Sequence, residues 1–247
     1  MKAKVAYVYN LVKLAFGVFL ELVWEVFFPK KCFGCGKPGF DFCPSCELNI
    51  PNFSLEICVV CQKYSPKGFT HLLCSTPHTP ERFYSPFCYK GSLRKAILNS
   101  KYKGYYKALD KPIELFLEDI KEAGLEFGQD ALVIPIPLFI TRYLKRGYNQ
   151  AEYIAEAFCK EFGLKIVCNA LKRAYPTKKQ ASLSKKQRLE NLKDALFVAE
   201  NKKMEILGKD IILIDDIETT GATMLSASKA LKVAGCRYIY CISLAKD

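Results

Sequence analysis

Two adjacent carboxylates, Asp215 and Asp216, follow the apolar run Ile211 to Ile214 and lead into Glu218-Thr219-Thr220-Gly221-Ala222-Thr223 and a helix-like segment. The run has the unbroken apolar character of a strand buried on both faces. Acids fixed at the carboxyl end of such a strand can accept hydrogen bonds from neighbouring hydroxyls. A turn of hydroxyl residues around a glycine opens the following helix, whose free N–H groups face an anion. Together these features suit a phosphorylated sugar. A bare strand end with a threonine cap is the simpler alternative, and the order of strand, acid pair, turn and helix weighs against it.

A second chemistry is written in cysteine. Eight of the twelve cysteines lie between Cys32 and Cys88. Cys32-x-x-Cys35 and Cys43-x-x-Cys46 are separated by Gly36 to Phe42, where Gly36, Pro38 and Gly39 permit a tight reversal. Four thiolates on two knuckles suit tetrahedral Zn²⁺. The same logic continues through Cys58-x-x-Cys61 and His71-x-x-Cys74, a Cys₃His set. His78 competes with His71, since Cys74-x-x-x-His78 is also ligand spacing; two-knuckle symmetry favours His71. Fully ligated sites leave no position for water, so the expected metal is structural and supplies folding energy to a module with little apolar core. Knuckle spacing of this kind points to metal in a reducing compartment rather than to disulfides. Cys88, Cys159, Cys168, Cys236 and Cys241 lie among apolar neighbours and are expected in the core.

These sites need elements to position them. A chain of 247 residues, half of them hydrophobic, can bury one substantial core and carry a smaller module. The expected divisions are an amphipathic N-terminal helix over 1–29, a zinc-ribbon-like module over 30–80 and an α/β domain over 81–247. In the first, Asn10, Lys13, Gly17, Glu21 and Glu25 interrupt the apolar stretch Val5 to Phe28 at steps of three and four. This stripe leaves a wide apolar face that packs on protein or lies in a membrane interface; two glutamates and the lack of a cleavage site oppose a spanning or secretory role. In the last, strand-like pieces at Phe83 to Tyr89, Ala131 to Ile136 and Tyr238 to Leu244 alternate with helical segments near Leu93 to Leu98, Ile113 to Ala123 and up to Phe162.

The formal charge of +12 favours polyanionic partners. Lys101-Tyr102-Lys103-Gly104-Tyr105-Tyr106-Lys107 interleaves cations with rings that could stack bases, or else begins an amphipathic helix with snorkelling lysines. Lys172 to Lys193 holds eight Lys or Arg residues against Glu190 alone and reads as a loop that closes over an anion. Histidine-based hydrolysis has little support, since His71 and His78 both fall in the cysteine-rich region.

Several motifs combine into a family likeness. Ile134-Pro135-Ile136-Pro137-Leu138, Arg142-x-x-x-Arg146-Gly147-Tyr148-Asn149-Gln150, Gln180-x-x-Leu183-Ser184-x-x-x-Arg188-x-x-Asn191 and Asp215-Asp216-Ile217-x-Thr219-Thr220-Gly221-Ala222-Thr223 stand behind the paired knuckles. The last resembles the phosphoribosyl pyrophosphate (PRPP) motif of type I phosphoribosyltransferases, and the set from about residue 27 onward resembles the ComF family.

That resemblance implies a type I phosphoribosyltransferase fold, a parallel-sheet core flanked by helices, joined to a zinc-ribbon-like module. It implies that Asp215 and Asp216 hold the ribose hydroxyls as the catalytic acids and that Glu218, Thr219, Thr220, Gly221, Ala222 and Thr223 cradle the 5′-phosphate. Pro137, Arg142 and Arg146 would serve pyrophosphate; Lys178, Lys179, Gln180, Ser184, Arg188 and Asn191 would form the flexible loop. Mg²⁺ is expected with PRPP and structural Zn²⁺ in the module. The implied role is PRPP binding, with or without pentosyl transfer, in DNA uptake and natural transformation, with single-stranded DNA as a partner. Transfer to a small nucleobase or nucleotide acceptor is the alternative. The expected location is cytoplasmic, with the N-terminal helix available to a membrane surface or to a DNA-uptake protein. His71 in place of a cysteine and the long apolar N-terminal helix depart from the family pattern. No C-terminal hood is expected after the strand Tyr238 to Leu244, and the module and first helices are expected to cover the site instead.

Overall fold

A computed structural model describes residues 30–51, 56–173 and 196–247. The expected N-terminal helix and the flexible-loop residues Lys178, Lys179, Gln180, Ser184, Arg188 and Asn191 lie outside them. A six-stranded sheet forms the centre. Its strands are β1 (Arg82–Tyr84), β2 (Phe87–Cys88), β3 (Leu132–Pro135), β4 (Lys165–Ile166), β7 (Ile211–Glu218) and β8 (Ile239–Lys246). The order is β1-β8-β7-β3-β4, with β2 also on β8, and every pairing is parallel.

Helices cover both faces, as an all-parallel sheet requires. The alternation of β7 assigns the faces: Ile212 and Ile214 join one cluster, Ile211 and Leu213 the other. On the first face lie α2 (Gly91–Lys103), α3 (Asp110–Glu122) and α5 (Gln150–Phe162). In α3 the buried Ile113, Phe116, Leu117 and Ile120 recur at helical spacing, so its apolar stripe meets the sheet. Phe158 of α5 is fully buried there; truncation to alanine would cost about 3–5 kcal/mol. On the second face lies α7 (Ala222–Val233), which contributes Met224, Ala227 and Leu231.

The expected parallel-sheet core flanked by helices is present, and so is a small cysteine-rich module. Some elements differ in extent. The segment Phe83 to Tyr89 is two short strands, interrupted at Ser85-Pro86, where proline offers no N–H to the ladder. The helix expected near Leu93 to Leu98 runs from Gly91 to Lys103. Lys172 and Arg173, assigned above to a closing loop, belong to β5 (Leu171–Arg173), which pairs antiparallel with β6 (Leu196–Val198). Cys159, Cys236 and Cys241 are buried as expected, while Cys88 and Cys168 are only partly covered. No helix among the described residues is long and apolar enough to cross a membrane.

Two connections leave β3 and β7 in opposite senses. From β3 the chain passes through α4 (Ile140–Arg146) and α5 to β4 on one side; β7 then pairs with β3 on the other side. The carboxyl ends of β3 and β7 therefore flank a topological switch point, where open α/β sheets bind ligands.

Candidate functional site

Asp215 and Asp216 occupy that switch point. They lie within β7 rather than just beyond it, because the ladder to β8 continues through Glu218↔Lys246. Successive strand residues face opposite ways, and positive charge lies near both acids. Lys101, at the end of α2, places Nζ 2.5 Å from Asp216 Oδ2, with both side chains largely buried (15% and 12% exposed). On the other side the positive charge of Arg173 interacts with Asp215. Arg173 Nε donates to the Pro137 carbonyl at 2.6 Å and its guanidinium lies 4.7 Å from the Phe139 ring centroid. It thus ties β5 to the loop after β3.

Burial pushes the Asp215 carboxyl well above the usual carboxylate range, and the charge of Asp216 adds to this; Lys101 pulls the other way. The Asp216 N–H donates to Asp215 Oδ1 at 2.8 Å and stabilises its ionised form. The arrangement holds negative charge in a confined place and supplies cations to balance it.

The turn after the acids is built from inside. Glu218 is buried and its carboxylate accepts the Gly221 N–H, so it organises the turn rather than lining its outer surface. Burial raises the Glu218 carboxyl, and the N–H groups of Gly221, Thr219 and Thr220 partly offset the rise. Lys246 Nζ donates to the Thr219 carbonyl at 2.6 Å from the neighbouring strand. Thr219 and Thr220 are exposed, and the Ala222 N–H lies 3.5 Å from Thr220 Oγ1. Gly221 has φ +80 and opens α7 as its N-cap. A side chain there would be strained, since only glycine adopts that region freely.

The loop after β3 lies opposite. Asn149 caps α5, accepting from the Ala151 N–H at 3.2 Å while its Nδ2 donates to the Ile136 carbonyl at 2.9 Å. Pro137 begins the half-buried approach to α4. Arg142 lies 5.8 Å from the Phe139 ring centroid, and Arg146 donates to Gln150 Oε1 at 3.1 Å beside the Tyr102 ring. The Tyr148 hydroxyl donates to the Ser100 carbonyl at 3.0 Å, which joins this loop to the Lys101 end of α2.

The cysteines form two clusters, in each of which the four ligand atoms lie within 4.8 Å of one another: Cys32, Cys35, Cys43 and Cys46, then Cys58, Cys61, His71 and Cys74. Tetrahedral zinc with Zn–S bonds of about 2.3 Å places sulfurs about 3.8 Å apart. Cys35 and Cys43 sulfurs are 3.7 Å apart. In the second cluster, Cys61 Sγ lies 3.3 Å from His71 Nδ1, and His71 Nε2 lies 3.0 Å from the Tyr64 carbonyl. Donation from Nε2 to that carbonyl would leave Nδ1 as the ligand atom, the usual arrangement for a metal-bound histidine. His71 therefore occupies the position for which His78 was the competitor. Burial disfavours the Cys32 thiolate, yet the N–H groups of Cys43, Cys35 and Gly34 outweigh it and bring the thiol down to about 6. Burial and the neighbouring cysteines push Cys46 up. Four sulfurs so close cannot all ionise without a cation between them, and both donor sets fit tetrahedral zinc.

The clusters sit on opposite faces of the sheet. The first packs against α2: Ser92 Oγ donates to the Cys46 carbonyl at 2.9 Å and Asn99 Nδ2 to the Phe33 carbonyl at 3.0 Å. The second places Val59 in the core beside α7. Lys246, Val59 and Gln62 were not singled out as parts of this site from sequence, while Lys101 was read as a nucleic-acid contact and Arg173 only as part of the basic loop from Lys172 to Lys193. Their roles depend on tertiary neighbours that no local motif records.

Fold and site define a parallel α/β protein with an acid pair and glycine turn at a sheet switch point, joined to two four-ligand cysteine clusters. The chain is 27% identical over 220 residues to "Competence protein F" of Haemophilus influenzae, covering 87% of this chain and 90% of that protein. It is 26% identical to "Competence protein ComFC" of Bacillus subtilis, covering 81% of each. It is 23% identical to "DNA utilization protein YhgH" of Escherichia coli K12, covering 78% of this chain and 91% of that one. These relatives support assignment of the chain to the ComF family. No family model matches. Among solved structures, an allosteric regulatory enzyme of purine biosynthesis aligns over 54% of this chain and 25% of its own at 16% identity and TM-score 0.35, a likeness too distant to build on.

Proposed function

We propose that the chain binds PRPP at the switch point, with zinc in both cysteine clusters, and acts as a phosphoribosyltransferase-like protein in the handling of internalised DNA. The observation that carries this reading is the acid pair itself: two carboxylates at the carboxyl end of β7, Asp216 ion-paired to Lys101 and Asp215 within the electrostatic reach of Lys101 and Arg173, next to a glycine turn that opens α7.

In this reading Asp215 and Asp216 accept the ribose 2′ and 3′ hydroxyls, and the Thr219 to Thr223 turn receives the 5′-phosphate at the helix start. Glu218 and Lys246 hold that turn in shape from beneath. The loop from Pro137 to Arg146 supplies cationic groups for pyrophosphate. Mg²⁺ taken up with the substrate's oxygens would offset charge on the leaving group, and the carboxylates are hard oxygen donors of the kind it accepts. The two acids favour positive charge as it develops on the ribose ring during departure of pyrophosphate. A nucleophile then forms the new bond at the anomeric carbon as the bond to pyrophosphate breaks.

The DNA part of the proposal draws on the names of the relatives and on the +12 charge. Exposed Tyr102, Tyr105 and Tyr106 offer stacking faces, and a cleft of about 740 Å³ beside the first cluster is lined by Lys30, Lys31, Phe33, Lys95 and Tyr105. Lys101 is unsuited to that contact, since it is turned inward on Asp216. Binding to such a surface should weaken steeply with salt.

Calorimetry with PRPP and Mg²⁺ tests the site. The parent should bind, and Asp215→Asn with Asp216→Asn should lose roughly 1.5–3 kcal/mol per charged hydrogen bond. No binding by the parent, or equal affinity in the double variant, refutes the assignment. A pyrophosphate-release screen over bases, nucleotides and single-stranded DNA separates a transferase from a binder without turnover, and a small-molecule acceptor from DNA.

A further inference from the structure

The glycine of the anion turn and the second cysteine knuckle are in direct contact. A β-carbon placed on Gly221 would lie 2.3 Å from the Val59 carbonyl oxygen and 3.0 Å from Gln62 Nε2. Val59 is the residue between Cys58 and the rest of that knuckle, and it is fully buried. Gln62 donates from Nε2 to the same Val59 carbonyl at 2.6 Å, and from its backbone N–H to the Cys58 carbonyl at 2.8 Å. It does so from a left-handed backbone, φ 61. Residues without glycine's freedom hold that conformation only when their surroundings impose it.

We propose that the Cys58 to Gln62 knuckle positions the anion-binding turn, with Gln62 as a positioning residue, so that metal in the second cluster controls phosphoribosyl affinity directly. The inference rests on the PRPP reading of the turn. Cys58 and Cys61 would share a cation with His71 and Cys74, and that cation would fix the knuckle whose carbonyl lies against Gly221. Without it the knuckle keeps its backbone bonds, Cys58 N–H to the Lys63 carbonyl at 2.9 Å and Gln62 N–H to the Cys58 carbonyl, and the Gln62 side chain on the Val59 carbonyl. The Val59 carbonyl is then held by Gln62 without the anchor that Cys58 and Cys61 give the knuckle, and the outer wall of the turn loosens. Glu218 and Lys246 hold the turn from the sheet side alone.

The first cluster lacks this contact. It packs on α2 through Ser92 and Asn99 and meets the acid pair only at the far end of that helix. Loss of its metal should therefore leave the turn in place.

Zinc content, PRPP affinity by calorimetry and amide hydrogen exchange at Thr219 to Met224 are measured on the full chain and four variants. Cys61→Ser should lose one zinc, weaken PRPP by about tenfold or more, the range of ordinary site coupling, and speed exchange in the turn while β3 stays protected. Cys61→His, which keeps a ligand atom, should restore all three. Gln62→Ala should keep both metals yet weaken PRPP and speed the same exchange. Cys35→Ser should lose one zinc with affinity within about twofold of the parent, below that coupling range. Parent affinity and parent exchange in both Cys61→Ser and Gln62→Ala would overturn the proposal. Should Cys61→Ser fail to fold, Gln62→Ala decides alone. Should the parent bind no PRPP, the functional reading fails, and exchange at the turn still tests the coupling without ligand.

Discussion

The two cysteine clusters have the same knuckle spacing and ligand count, yet they meet the acid pair through different materials. The first acts along a helix: its knuckles seat α2 through Ser92 and Asn99, and α2 delivers Lys101 to Asp216. The second acts through a carbonyl laid against Gly221. A helix is stiff and is held by its own buried residues, Leu93, Ala96 and Ile97, so it can keep its place when one support weakens. A turn of exposed threonines has less reserve, since Glu218 and Lys246 hold it from the sheet side alone. Like clusters can therefore differ in function according to what they press upon.

The largest expected effect comes from removing both metals at once. Structural zinc contributes about 10–16 kcal/mol of apparent binding energy in small modules, so strong chelation should melt the cysteine-rich region. Metal analysis should first give about two zinc per chain, as two closed sites require. Circular dichroism that is unchanged after complete metal loss would remove the distinction between the clusters altogether.

Lys101→Met sharpens the comparison from the helix side. Deleting one partner of a largely buried ion pair should cost about 3 kcal/mol, at the low end for such pairs, while zinc content stays at its parent value. Denaturant titration reads the cost. A variant as stable as the parent would show that α2 does not depend on its contact with β7.

A third expectation concerns pH. Asp215 is held above the ordinary carboxylate range by burial and by Asp216, so the folded state binds its proton more tightly than the unfolded chain. Its contribution to stability is full below the unfolded pKa and is lost as pH rises through the folded value. Stability should therefore decline with rising pH across that window. Asp215→Asn should flatten the decline, and Lys101→Met should extend it upward by removing the charge that pulls Asp215 down. Unfolding midpoints measured across acidic to neutral pH would show either pattern.

The smallest effect is expected at the opposite end of β7. Arg237 bonds Asp210 through Nε at 2.7 Å and Nη2 at 2.8 Å, but its side chain is 55% exposed. Solvent screening limits such a pair to about 1 kcal/mol or less. Arg237→Ala should lower the melting temperature slightly and leave PRPP affinity alone; a loss of affinity would mean that the site reads strain from the whole strand.

Much of this was legible from residue order. The Ile211 to Ile214 run, the acids and the Thr-Thr-Gly turn announce a buried strand feeding a helix, because strand burial and turn chemistry are local properties. Cysteine spacing announces two ligand sets for the same reason. Sequence could not show that Glu218 faces inward, since strand alternation continues two residues past the acids and sends its carboxylate under the turn. It could not pair Lys101 with Asp216 either: a lysine among tyrosines has the look of a solvent-facing cation, and only the docking of α2 on β7 turns it inward. The contact of Val59 with Gly221 joins elements far apart in the chain and leaves no periodic trace.

The place of β8 in the sheet bears on the order of events during synthesis. Arg82 pairs with Tyr240, and the Glu81 carboxylate accepts the Ile239 N–H across a separation of 158 residues. When β1 leaves the ribosome, its partner strand in the central sheet has yet to be translated. The cysteine knuckles emerge earlier still and close over short spans. They can take up metal while the Gly221 turn does not exist, and the finished knuckle then serves as a mould against which the late-made turn sets.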